Sequence, residues 1–424
     1  MDPLAETLSN TLYRMGRALG GRNYRLFFTG QAISLVGIWM QQIAVSWLVY
    51  RLSGSPFMLG FVAFTGQLPV FFLSSVGGVI ADRWEKRRVL LTIQTISMIH
   101  AFVLAILTLT GVIKIWHLVV LSIVPGFLQA VDIPTRQAFV IEIVERREDL
   151  VNAIALNSFM FNSARLIGPS LGGVLIDKTG EGICFLINGL GFFAAMSSLL
   201  RMRLAKSRRE RLHIPLFQGI SEGLRYAFHF LPIRYLVIFA AFTHFTAGAF
   251  PVLMPAFTKD VLHGGPRTLG LIMAASALGA TISSLYLAMR SSVVGLGKVI
   301  IFSTSLFGVA LLVLSISPSL FVALLSVFFA GLGMMLHLTS TNTLLQTIVE
   351  EDKRGRIMSL FAMSSLGVLP FGSLFAGSLG SAIGIRGTIF VQGILCLCGS
   401  AAFLSRHKEI RRAIKPVYER LGII

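Results

Sequence analysis

Charge is what this sequence has least of. Only 13% of its 424 residues are Asp, Glu, Lys or Arg, against about 25% in an ordinary soluble protein. Acidic residues are scarcest: 19 Asp and Glu stand against 37 Lys and Arg, a formal net charge of +18. Cysteine is nearly absent. Cys184, Cys396 and Cys398 are odd in number and lie in apolar stretches, which excludes both a disulfide framework and a cysteine metal centre. There is no HExxH, no paired DxxD aspartates, no nucleophile elbow and no Walker motif, so an enzyme is disfavoured and this chain does not hydrolyse ATP as its driving force. No metal and no cofactor are expected. A cleavable signal peptide is not expected either, because Met1–Arg25 is polar, carries four arginines and lacks a short apolar core.

What the sequence has instead is apolar length. Hydrophobic residues make up 54% of it, in long runs separated by short basic clusters, the pattern expected where about 20 residues cross ~30 Å of hydrocarbon. Twelve spans are predicted: 25–52, 56–81, 88–111, 116–141, 150–175, 181–203, 234–258, 266–290, 297–317, 319–345, 356–382 and 386–404. Gly54, Pro56, Gly111, Gly180, Gly264, Gly265, Pro266 and Pro318 punctuate them. The fold class is therefore an all-α membrane protein.

The basic residues sort by side. If the N-terminus is cytoplasmic, the outer connections hold only Arg51, Lys114, Lys178, Lys259, Arg267 and Arg386, while Arg136 and Arg165 lie within spans and all others fall inside. The positive-inside rule then puts both termini in the cytoplasm. That placement reads the positive charge as a membrane marker and makes nucleic acid an unneeded partner.

Four regions are expected: an N-terminal six-helix bundle over 1–204, a linker over 205–232, a C-terminal six-helix bundle over 233–405 and a basic tail over 406–424. Helical spacing of Leu216, Ile220, Leu224, Ala227 and Phe228 predicts an amphipathic surface helix in the linker. The tail is expected to rest on the anionic inner leaflet. An internal repeat supports the division. GSPFMLG (54–60) matches GGPRTLG (264–270), and RVLL (88–91) matches KVII (298–301), both offset by 210; IVER (143–146) matches IVEE (348–351) at 205. Two parallel repeats about an axis along the membrane normal are a transporter architecture.

GGVIADRWEKRR (77–88) closes the second span. It resembles the signature loop of the major facilitator superfamily at Gly78, Ala81, Asp82, Arg83, Lys86 and Arg87, with Glu85 where that loop has glycine. The resemblance implies a gate in which Gly78 lets the second span approach the eleventh and Asp82 joins a charge relay. The alternative is a plain topogenic basic loop. The equivalent of Asp82 in the second half is Ser292. SARLIGPSLGGVL (163–175) resembles the superfamily's antiporter motif through Gly168, Pro169, Gly172 and Gly173, read as a hinge and seal or as ordinary close packing. Helix eleven carries a looser counterpart at Pro370, Gly372 and Gly377.

Three longer stretches, 22–60, 132–173 and 350–372, are similar to the bacterial drug-efflux subgroup that contains macrolide exporters and the enterobactin exporter. The resemblance spans nearly the whole chain. It implies the major facilitator fold in two pseudo-symmetric bundles and efflux of a small amphipathic compound, drug or siderophore-like. A proton gradient would supply the energy, and a monomer in the bacterial inner membrane is expected. A lysophospholipid flippase of the same fold is the alternative, with a lipid-like substrate.

Ionisable side chains at membrane depth cost about 3 kcal/mol or more and are functional suspects. Asp132 and Arg136 share a face of the fourth span, and Arg165 lies in the fifth. They are read as a proton-coupling group or as a static salt bridge between those two helices. Gln41, Gln42, Gln67, Asn162, Asn188, His244 and His337 are candidates for the substrate cavity, each alternatively a satisfied interhelical hydrogen bond.

Overall fold

The computed structural model describes residues 17–203, 226, 229–290, 292–317 and 319–423. The amphipathic helix expected in the linker lies outside the described residues, as does the Asp82 side chain. The described residues are almost wholly helical. A short 3-10 turn, Arg17–Gly20, leads into α1 (Arg22–Ser53), α2 (Pro56–Arg83), α3 (Lys86–Leu109), α4 (Ile115–Ile143), α5 (Leu150–Thr179) and α6 (Glu181–Arg201). The second half runs through α7 (Leu231–Thr246), α8 (Pro266–Ala288), α9 (Leu296–Ile316), α10 (Leu320–Ile348), α11 (Glu351–Ala362, continuing over 369–383) and α12 (385–420).

These rods match the expected spans to within a few residues at most of their ends. α6 and α9 have 21 residues each and reach about 31 Å, enough for a bilayer core, while α7 has 16. Among the described residues, ten stretches are long and apolar enough to cross a membrane by length and composition. One of them, Lys353–Arg420, contains both α11 and α12, and the more polar α5 is a further rod beside the ten.

The repeat reappears in the helix boundaries. α2 and α8 begin at Pro56 and Pro266, α3 and α9 at Lys86 and Leu296, α4 and α10 at Ile115 and Leu320. Proline at the first helical position suits both α2 and α8, because its missing N–H is not needed there. Ser55 caps α2 by accepting from the Met58 N–H at 3.4 Å, and Ser319 caps α10 by accepting from Val322. Between α5 and α6 the chain turns on one residue, Gly180, at φ 81°; between α11 and α12 it turns on Gly384 at φ 79°. A side chain would be strained at either position.

Two elements differ from the expectation. The seventh span is not one helix: beyond Thr246 it continues as a 3-10 turn (Phe250–Leu253), a short helix and a π turn (Phe257–Val261). Pro251 and Pro255 remove backbone donors there, which weakens the α ladder at two points four residues apart. The basic tail does not form a separate element. α12 runs on to Arg420, and Ile410, Ile414 and Tyr418 are buried against Ile233, Leu296 and Ile348 of the second half. Its apolar face is spent on the protein's own core.

Apolar packing differs between the two ends of the bundle. At the end carrying the α1–α2 and α7–α8 turns, one cluster includes buried residues of both halves, among them Leu48, Phe185, Phe250, Phe257 and Phe307. At the basic end there are two clusters. Tyr24, Phe27, Leu90 and Phe139 belong to the first half, and Ile233, Leu236, Leu344 and Phe361 to the second. The halves are joined at one end and separately cored at the other.

Candidate functional site

Within the first half a cavity of about 420 Å³ is bounded by α1, α2, α3, α4 and α6. Pro251 and Val252, from the broken part of the seventh span, and Met273 of α8 contribute its wall from the second half. The polar lining is mainly carboxamide: Gln41, Gln42, Gln67, Gln94, Gln129 and Asn188. The Asn188 amide donates to Gln41 Oε1 at 2.7 Å, while the buried Asn188 Oδ1 and Gln94 Oε1 have no partner. Buried polar atoms are normally satisfied, and these two are exceptions. Small polar contacts fasten the walls. Thr65 and Ser122 share a hydroxyl–hydroxyl bond of 2.8 Å between α2 and α4, and His100 Nε2 meets the Leu121 carbonyl at 3.0 Å between α3 and α4. The combination of apolar surface with a few placed polar groups is that of a small-molecule pocket.

The charged residues do not join as the sequence suggested. Asp132 and Arg136 both line the cavity and pair with each other along α4, with Nη2–Oδ1 at 2.7 Å and Nε–Oδ2 at 2.9 Å. Arg165 takes no part in that pair. Its guanidinium lies over the Trp39 ring, 5.8 Å from the centroid. The expected salt bridge from α4 to α5 is therefore replaced by an intrahelical one. The spacing of four residues supplies a partner one turn away at little entropic cost.

The glycines of α5 divide their work between two neighbours. A Cβ on Gly168 would come within 2.5 Å of Trp39 Cβ, and one on Gly172 within 2.8 Å of Ile43, so both seat α1. Gly173 faces the other half: its Cβ would lie 2.6 Å from the Pro266 carbonyl and 3.0 Å from Gly270 Cα. Pro169, between them, reaches the cavity wall. The symmetry-related crossing joins α2 to α11. A Cβ on Gly377 would sit 2.7 Å from the Pro56 carbonyl and 2.8 Å from Gly60 Cα. These two glycine contacts, with the hydrogen bond from the Tyr50 hydroxyl to Asp260 and that from the Phe57 N–H to Ser381 Oγ, join the halves at one end.

At the basic end, Gly78 does not draw α2 against α11. A Cβ there would meet open space. Its neighbour Gly77 is the packed glycine, 2.0 Å from the Ala130 carbonyl of α4 by the same measure. Lys86 pairs with Glu142 at 3.0 Å and Arg87 donates to the Leu200 carbonyl at 2.8 Å, so both hold the loop to the first half. Arg83 is exposed.

Gln41, Gln42, Gln67 and Asn188 share the cavity, whereas the other three candidates lie elsewhere. Asn162 donates to the Ser158 carbonyl of its own helix. His244 and His337 are buried together in the second half with ring centroids 6.0 Å apart; His337 Nδ1 meets Thr304 Oγ1 at 2.9 Å. Sequence reasoning missed Gln94, Ser97 and His100 of α3, whose spacing of three residues marks one helix face. It also missed Glu181, which is buried at the start of α6 and takes a bidentate bond from Arg51 (2.8 and 3.1 Å). Among the described residues no cluster of His, Cys, Asp or Glu could hold a metal.

Known proteins bear on this architecture. The chain is 25% identical over 392 residues to the staphyloferrin A transporter of Staphylococcus aureus, covering 91% of this chain and 97% of that protein. It is also 25% identical to the multidrug efflux pump Tap of Mycolicibacterium fortuitum (88% and 93% covered) and to the enterobactin exporter EntS of Citrobacter koseri (93% and 94%). Among solved structures, a bacterial homologue of the iron transporter ferroportin in an inward-facing state superposes with TM-score 0.70 at 17% identity, covering 91% of this chain and 98% of that one. Residues 18–414 match the profile described as transmembrane secretion effector, so the chain belongs to that family of the major facilitator superfamily and is a multi-pass membrane transporter, not an enzyme.

Proposed function

We propose that this protein is a secondary active exporter of the bacterial inner membrane that carries a small amphipathic compound, drug or siderophore-like, by alternating access. The observation that carries the reading is the carboxamide-lined cavity of the first half, whose wall is completed by Pro251, Val252 and Met273 of the second half. The relatives that transport staphyloferrin A, efflux multiple drugs or export enterobactin support the substrate class and the direction. The basic residues argue that the separately cored end faces the cytoplasm, which makes this the cytoplasm-open state with both termini inside. The protein is proposed to act as a monomer.

Proton antiport is the proposed energy source, with Asp132 as the group that carries the proton. Arg136 and a proton compete for the same carboxylate, so loading requires the α4 pair to open as the halves rock. In proteoliposomes, an imposed pH gradient should drive flux of amphipathic drugs, and Asp132→Asn should abolish that gradient-driven flux while leaving substrate exchange. Gradient-independent transfer of a lysophospholipid, unaffected by Asp132→Asn, would instead identify a flippase. Absence of gradient-dependent flux across a broad cargo panel would sink the antiporter reading.

A further inference from the structure

We propose that Arg165, presented on the Trp39 ring at the edge of the central cavity, is a recognition point for an anion, and that the transported compounds carry a carboxylate or similar acidic group. The inference rests on the proposed reading of that cavity as the substrate site and narrows its substrate class.

The charge balance is the first argument. Among the described residues, Asp132 is the only carboxylate lining the cavity, and two charge-assisted hydrogen bonds from Arg136 at 2.7 and 2.9 Å occupy both its oxygens. That pair is neutral as a unit. Arg165 stands outside it, half-buried in α5, and no carboxylate lies within salt-bridge distance of it among the described residues. A guanidinium at membrane depth is costly unless an anion, carbonyls or water meet it, and here the protein supplies an aromatic face. A cation–π contact covers one face of the guanidinium plane and leaves the N–H edge free to donate.

Position is the second argument. Trp39, which holds the guanidinium, lines the cavity, and so does Pro169, which is four residues after Arg165 and therefore on the same side of α5. Gly168 fixes the ring's place, since a Cβ there would come 2.5 Å from Trp39 Cβ. The ring is further braced edge-on by Phe161 at 5.7 Å. Arg165 thus sits on an aromatic shelf of the first half beside the cavity wall that Trp39 and Pro169 form, where a guest's acidic group would meet a planar fork of donors while its apolar body lies among Ile38, Val45 and Met273. The neutral amides of Gln41 and Gln42 would orient the remainder without adding charge.

The test uses the full chain in lipid nanodiscs and two aromatic acids, 2-naphthoate and 1-pyrenebutyrate, each measured against its carboxamide with empty nanodiscs subtracted. The wild type should bind each acid about tenfold tighter than its amide. Arg165→Gln should erase that preference and leave amide binding as it was. Arg165→Lys should restore part of it, because the charge returns without the fork. Wild-type protein without preference for either acid overturns the proposal, and so does Arg165→Gln weakening acid and amide alike. Gln42→Leu separates the two readings. If it leaves all four affinities unchanged while Arg165→Gln removes the preference, the cavity reading fails and the anion site stands.

Discussion

Asp132 and Arg136 show how residue spacing competes with tertiary pairing. Each is about one-sixth exposed, and each would be an uncompensated charge without the other. Removing one partner of such a pair costs more than removing both, because the survivor keeps its desolvation penalty. Arg136→Gln should therefore destabilise the purified protein by about 1–3 kcal/mol, read as a lower melting temperature, and adding Asp132→Asn should recover most of the loss. Equal destabilisation by the single and double variants would show that Asp132 has another partner. At the basic end, Arg17 pairs with Glu148 at 2.7 Å, and this neighbour holds the exposed Glu148 carboxyl below its usual range. A depressed carboxyl contributes stability above its unfolded pKa and loses it as pH falls through the folded one. The hydrogen-exchange protection factors at 17–20, taken relative to the intrinsic rate at each pH, should fall on acidification below about pH 4, and Arg17→Gln should flatten that response.

At the scale of helices, much of what matters was legible and the misses have physical causes. The repeat GSPFMLG against GGPRTLG correctly aligns α2 with α8, and it makes Gly60 equivalent to Gly270, the two glycines on which the halves cross. The fifth helix's Gly173 stood out as a small residue, but its partner across the interface could not be read from composition. Period and hydropathy report that a face is buried, not against what. Gly77 and Gly78 are adjacent and chemically identical, so sequence alone could not say which one packs. α7 was expected as one rod because hydropathy does not register the loss of two amide donors at Pro251 and Pro255. These contacts predict separable effects. Gly270→Val would push a branched side chain into the Pro169 carbonyl, 2.6 Å from the Cβ position, and overpacking of this kind costs about 1–3 kcal/mol. It should destabilise the closed end and reduce transport. Gly78→Leu enters open space here and should leave thermal stability unchanged. If α2 docks on α11 in the opposite state, it should still block flux, and full transport by Gly78→Leu would argue for the plain topogenic loop.

For the molecule as a whole, function depends on the difference in packing between its two ends. One apolar cluster spans both halves where Gly60 meets Gly377 and Gly173 meets Gly270, while the basic end keeps a separate core in each half. Small backbone-to-backbone contacts can part without leaving large cavities, which suits an interface that must break and reform. A charged hydrogen bond at that interface runs from the Tyr50 hydroxyl to Asp260, beside the Phe57–Ser381 bond, with Lys259 lying 5.7 Å from the centre of the Tyr50 ring. A hydrogen bond to a charged acceptor contributes about 1.5–3 kcal/mol, enough to shift a two-state population by an order of magnitude or more. Tyr50→Phe removes the donor and keeps the packed ring. In a background without Cys184, Cys396 and Cys398, a cysteine placed at Met273 lies at the cavity wall beside the closed end. Under the proposed topology, a membrane-impermeant maleimide added outside should label that cysteine slowly in the wild type and about tenfold faster with Tyr50→Phe. Unchanged outside labelling would mean that the glycine crossings alone hold the end shut, and the Tyr50–Asp260 bond would then be a consequence of closure instead of a cause.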